Sequence, residues 1–197
     1  MVELRPDPSN VLQNAITYLC FKTKTLSQTK LMKLVYLADA YHMERFGERL
    51  TNVPFKHWHY GPFSEEINEE IERLCGMGIL KQKSYQTRAG FMAEVPKPAI
   101  HKTSAELSDE ALTTLDEIIE EWGDSSTEEV VTFAKTSMPF VGTPFGDEIN
   151  FNRVDIVKET AEVNNISIED AATLLIENDK DLIETLDKAQ DRAHSLP

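Results

Sequence analysis

Ser27-Gln28-Thr29-Lys30-Leu31-Met32-Lys33-Leu34-Val35-Tyr36-Leu37-Ala38-Asp39-Ala40-Tyr41-His42-Met43-Glu44-Arg45-Phe46-Gly47 is the stretch that decides the fold. Leu31, Leu34, Val35, Ala38 and Tyr41 recur at helical spacing as one stripe, and Met32, Tyr36 and Met43 form a second. A helix apolar on two faces packs on more than one side, so this is the central element of the molecule. Ser27 is its expected N-cap, and Gly47 is placed to end it in the left-handed conformation, where a missing Cβ removes the steric cost. Lys30, Lys33, Asp39 and Glu44 make up its polar remainder.

Upstream, Pro8-Ser9-Asn10 opens a helix over about 9–23, with Leu12, Ala15, Ile16 and Leu19 on one side. Downstream, the period changes between Thr51 and Pro62, where Phe55-Lys56-His57-Trp58-His59-Tyr60 reads as a short extended segment punctuated by Gly61-Pro62. Ser64 is the expected cap of a helix that buries Ile67, Ile71 and Leu74 and surrounds them with Glu65, Glu66, Glu69, Glu70 and Glu72. After Gly76-Met77-Gly78, Ile79–Lys83 and Phe91–Val95 read as two strands, the order of a small winged unit. A helix over about 108–122 follows, then a shorter one opened by the capping-box pair Ser126 and Glu129. Met138–Gly146 reads as a loop or linker. Beyond it the chain turns acidic but keeps three helical patterns: Val154, Val157 and Ala161; Ile168, Ala171, Ala172 and Leu175; Ile183, Leu186 and Ala189. Asn152 and Ser167 are their plausible caps. The expectation is a mainly α fold: a compact helical domain over 1–146 with a small β-hairpin or winged element, and an acidic helical appendage over 147–197.

With 197 residues, 41% hydrophobic and 27% charged, the composition is that of a globular chain, neither disordered nor collagen-like. The longest apolar run, Leu34 to Ala38, is far shorter than the roughly 20 residues of a membrane span, and Met1–Pro6 shows no secretory signal. A cytoplasmic protein is expected. Cys20 and Cys75 are too few for a disulfide framework or a four-thiolate zinc site and read as small core residues. The net charge of −14 disfavours phosphate backbones. Its layout is uneven: residues 1–60 carry 8 basic and 5 acidic groups, 61–146 carry 7 and 16, and 147–197 carry 5 and 13. Such asymmetry steers a basic partner onto the acidic part.

His57 and His59, two apart in a strand, are the sharpest metal candidate, with a third ligand needed from His42 or a carboxylate; two histidines alone are a weak signal, and they read as surface or interface residues. No Gly-x-Ser-x-Gly elbow, no phosphate-binding Gly-rich loop and no dinucleotide fingerprint is present. Carboxylate pairs such as Glu65 and Glu69 have the spacing of any acidic helix face. No catalytic residue, cofactor or metal is assigned. Lys81, Lys83 and Arg88 near the winged hairpin invite a DNA-binding alternative, opposed by the glutamates of the preceding helix.

Leu31–Asp39, followed by His42, Gly47 and Leu50, and then Trp58-His59-Tyr60-Gly61-Pro62, resembles the Panacea domain, also called the SocA-like domain, of bacteria and phages. Ser126–Phe133 is similar to the family's closing helix; where that element runs into a histidine and a Pro-Trp pair, Ala134-Lys135 and Pro139-Phe140 stand here. The resemblance covers about residues 8–145. It implies a non-enzymatic antitoxin that neutralises a cognate toxin by direct contact, with adaptor delivery of the toxin to a protease as a variant. An acidic chain fits a toxin with a basic surface. Tight inhibition rests on a few aromatic or Arg anchors, here nominated as Trp58, Tyr60 and Phe63 around Gly61 and Pro62, supported by Lys33 and Tyr36. The acidic appendage is the expected source of toxin specificity.

Overall fold

The computed structural model describes residues 10–24, 26–86, 92–100, 106–152, 161–167, 170, 171 and 174. It is mostly α, with two small antiparallel two-stranded sheets. Helix α1, Val11–Lys22, starts where the Asn10 side chain accepts from the Gln13 amide at 3.0 Å. Helix α2, Gln28–Phe46, starts on the Ser27 hydroxyl and stops at Gly47, whose φ of +78° lets its N–H close back on the Met43 carbonyl. Both apolar stripes of α2 are buried apart from the half-buried Tyr41, against α1, α4, α5 and the strands described below.

The polar remainder of α2 departs from its expected place. Lys30, Lys33 and Asp39 are all buried, and of the four only Glu44 is exposed. Each buried charge meets an oriented backbone or an opposite charge, which is what such burial requires. Lys30 Nζ donates to the Gly123 and Ser125 carbonyls at 2.7 and 2.6 Å, capping the negative end of helix α4, Asp109–Trp122. Asp39 accepts from Arg49 Nη2 and the Thr51 amide, each at 2.7 Å. Arg49 also donates to the Val53 carbonyl, and its guanidinium lies 4.1 Å from the centre of the Phe151 ring.

The aromatic stretch expected as one extended segment folds as a hairpin. Strand β1, Lys56–Trp58, pairs antiparallel with β2, Gly61–Phe63, so that Trp58 faces Gly61 across a His59-Tyr60 turn. Gly61 adopts φ +87°, the left-handed residue that lets the chain reverse so tightly. The outer edge of β1 is covered in turn: the His57 amide donates to Asp147 O, the Gly146 amide to His57 O and the Ile149 amide to Phe55 O, at 2.7 to 2.9 Å. Helix α3, Glu65–Gly76, buries Ile67, Ile71 and Leu74 as their spacing demands. Ser64 does not cap it; the residue continues the extended backbone of β2 and buries a hydroxyl without a hydrogen-bond partner. Strands β3, Leu80–Gln86, and β4, Met92–Pro98, complete the helix–strand–strand order; Arg88 lies outside the described residues.

Helix α5, Thr127–Thr136, carries both arms of the expected capping box, Ser126 with Glu129. The stretch expected as a loop opens with a single helical turn, α6, Met138–Val141, because Pro139 occupies a first-turn position whose N–H has no intrahelical partner to lose. Residues 147–151, placed beyond the domain in the sequence, pack into its core: Ile149 and Phe151 are buried, and Phe151 stands 5.3 Å from Tyr36. Further on, Ser167 accepts from the Asp170 amide as expected of a cap, and Ala161 and Ala171 pack with Ile166 and Met138. Val154, Val157, Ile168, Ala172, Leu175 and the Ile183–Ala189 pattern lie outside the described residues. Cys20 is buried and free, and burial holds its thiol far above the ordinary range, the signature of an inert core cysteine; Cys75 is half-buried.

Candidate functional site

Around the β1–β2 hairpin the structure gathers all seven nominated residues, in two layers. Trp58 and Tyr60 are outside, 45% and 76% exposed. Phe63 is half-buried against the core, and Gly61, Pro62, Lys33 and Tyr36 are inside. The inner layer holds the hairpin in place. Lys33 Nζ, projecting from α2, donates to the Pro62 carbonyl at 2.6 Å. Gly61 permits this approach: a Cβ there would stand 3.3 Å from Lys33 Cε and 3.4 Å from Lys135 Cγ on α5. Tyr36 sits one turn along α2, bonds the Ser137 hydroxyl at 2.6 Å and meets Phe55 edge-on at 5.3 Å. Burial, with Lys135 adding like charge, brings the Lys33 amine down to about 7. Burial pushes the Tyr36 phenol well above its usual range, so it stays a neutral donor.

The outer layer rests on residues from the far side of the chain. Trp58 stacks on Phe145 at 5.3 Å with the rings 17° apart, and His59 lies 4.5 Å from the same ring. His57 turns inward, 3.9 Å from Phe140, with Nδ1 2.6 Å from the Thr143 carbonyl, a contact that requires the proton on that nitrogen. Burial lowers the His57 pKa, against the pull of the Thr143 carbonyl. Strand β1 ends at Trp58, so His59 falls in the turn and the period-two pairing with His57 is not kept. Among the described residues no group of three or more metal-ligating side chains forms. What the arrangement offers chemically is two exposed aromatic rings beside a pair of lysines.

Over residues 31–139 the chain matches the sequence model of the antitoxin SocA-like, Panacea domain. The chain belongs to this family. No curated protein and no solved structure matches it. The matched span of the Panacea domain holds α2, the hairpin, α3 and α5, hence every nominated residue, whereas Phe145 and the buried Ile149 and Phe151 lie past its end. Phe140, Phe145 and Lys135 are the members of the site that sequence reasoning missed. Phe145 stands in a Pro-Phe-Gly run that reads as linker, and nothing in its spacing signals a return to a hairpin 86 residues upstream of Thr143. Among the described residues of the Panacea protein, no helix is long and apolar enough to cross a membrane. The exposed side of α3 carries Glu65, Glu66, Glu69 and Glu72, a poor face to set against phosphates.

Proposed function

We propose that this Panacea protein neutralises a toxin by binding it directly, without catalysis, through the turn of the β1–β2 hairpin. The observation that carries the reading is the exposure of Trp58 and Tyr60, two residues apart at the hairpin turn, with the Pro62 carbonyl held by Lys33 and the Trp58 ring stacked on Phe145. Exposed aromatics on a pre-organised support are the usual anchors of tight protein interfaces, since little side-chain freedom is lost on docking. Gly61, Pro62, Phe63, Lys33 and Tyr36 act as positioning residues. The acidic second half, including the segment after Phe151, meets basic residues of the toxin at the rim and speeds encounter.

The test is co-expression with the product of the adjacent gene where that product is toxic alone. The expected result is restored growth and a co-purifying complex, both lost in the Trp58→Ala/Tyr60→Ala variant, whose circular dichroism is unchanged. Rescue that survives the double substitution overturns the hairpin assignment; no rescue and no complex overturn direct neutralisation.

A further inference from the structure

Lys33 and Lys135 flank Gly61 at the start of β2, with His57 on β1 and His59 in the turn, in a chain whose net charge is −14. The charged group acting on Lys33 is Lys135, from α5; those acting on His57 are Lys135 and His59. Among the described residues neither Lys33 nor Lys135 forms an ion pair with a carboxylate, although Asp147 and Glu148 lie on the segment along the outer edge of β1. The Lys33 amine also has donor capacity in hand. Among the described residues it makes one hydrogen bond, to the Pro62 carbonyl, whereas an ammonium has three N–H donors, and it is 2% exposed. Both lysines border the space a Cβ on Gly61 would fill: that position lies 3.8 Å from Lys33 Nζ and 3.4 Å from Lys135 Cγ. Lys135 is itself exposed, so its stem is free to change rotamer.

We infer that Lys33 and Lys135 form an anion-binding niche beneath the hairpin turn, built to receive a carboxylate of the protein that docks on Trp58 and Tyr60. The missing counter-charge is then supplied by the ligand. Lys135 meets the carboxylate first in solvent, its stem moves off Gly61, and Lys33 takes up a proton and donates to the same group. A partner that presents basic residues to the acidic half therefore presents an Asp or Glu here, which fixes its orientation. The source of the carboxylate rests on the docking reading above; the niche does not.

The test uses the full chain with lysines carrying a carbon-13 label at Cε, titrated through pH by NMR in sodium acetate and in sodium chloride of equal ionic strength. The Lys33 signal is expected to titrate near 7 in chloride and about one unit or more higher in saturating acetate, equivalent to about tenfold tighter binding to the protonated niche. Replacing Lys33, which is buried, endangers the fold, so the variant is the exposed Lys135→Gln, expected to lose most of the acetate shift with an unchanged spectrum elsewhere. An acetate response no larger than that of chloride, or one fully retained in Lys135→Gln, overturns the niche. Acetate binding without protection from the toxin removes the docking reading and leaves the niche standing; protection without acetate binding does the reverse.

Discussion

At the scale of single residues, Lys33 ties the fold to the pH. Its amine titrates near 7 in the folded chain against 10.5 ordinarily, so the unfolded chain holds more protons over that window. Stability therefore climbs as pH rises from about 7 towards 10, with a slope approaching about 1.4 kcal/mol per pH unit from this group. Urea unfolding at several pH values should show the climb, and Lys33→Met should flatten it whatever its effect on absolute stability. Gly61 is the second decisive residue. Gly61→Ala puts a Cβ on a left-handed residue and pushes it against two lysine stems, an expected loss of about 1–2 kcal/mol, visible as a lower urea midpoint; equal stability would show that the turn relaxes freely. Gly61 reads in the sequence as a turn residue and Lys33, through the family resemblance, as a support, but the close approach of Gly61 to two lysine stems and the burial of Lys33 were not legible: periodicity ranks a lysine as outward, and no local pattern announces that a carbonyl 29 residues on will receive it.

Elements were more readable than their partners. The two stripes of α2, the stop at Gly47, the Ser126 capping box and the α3–β3–β4 order all follow from local spacing, and all are found. What local spacing cannot register is a tie made at a distance, such as the one that fastens the end of α2 to the 49–55 loop through Asp39 and Arg49. Removing Arg49 leaves a buried carboxylate whose desolvation is no longer offset, so Arg49→Met is expected to cost about 3–5 kcal/mol, while the Asp39→Asn/Arg49→Met pair recovers part of it. A double-mutant cycle by chemical unfolding checks this; strict additivity would show that the pair is not coupled. The hairpin makes the same point. Its tight turn follows from Gly61, but Trp58 owes its orientation to Phe145, and Phe145→Ala should shift the tryptophan emission to the red without loss of helix signal.

For the molecule as a whole, the mainly α class and the family were legible, because the long two-faced helix and the Trp58–Pro62 run are local. Where the packed body ends was not, since Ile149 and Phe151 rejoin a core that the Gly142 to Gly146 run, read as a linker, leaves in the sequence. A chain cut after Phe151 is expected to stay folded, whereas one cut after Gly146 loses two buried side chains worth about 2–5 kcal/mol each and should melt many degrees lower in a thermal scan. Similar melting of the two would show that the 147–151 segment adds nothing. The covering of the hairpin by that same segment has a wider consequence. Among the described residues, 146–149 are bonded along the outer edge of β1 and Lys33 holds the Pro62 carbonyl of β2, so the strand that carries Trp58 has no free edge. The covered β1 edge does not template strand addition by a second copy, and on the docking reading proposed above the partner is recognised by side chains rather than by extending that strand.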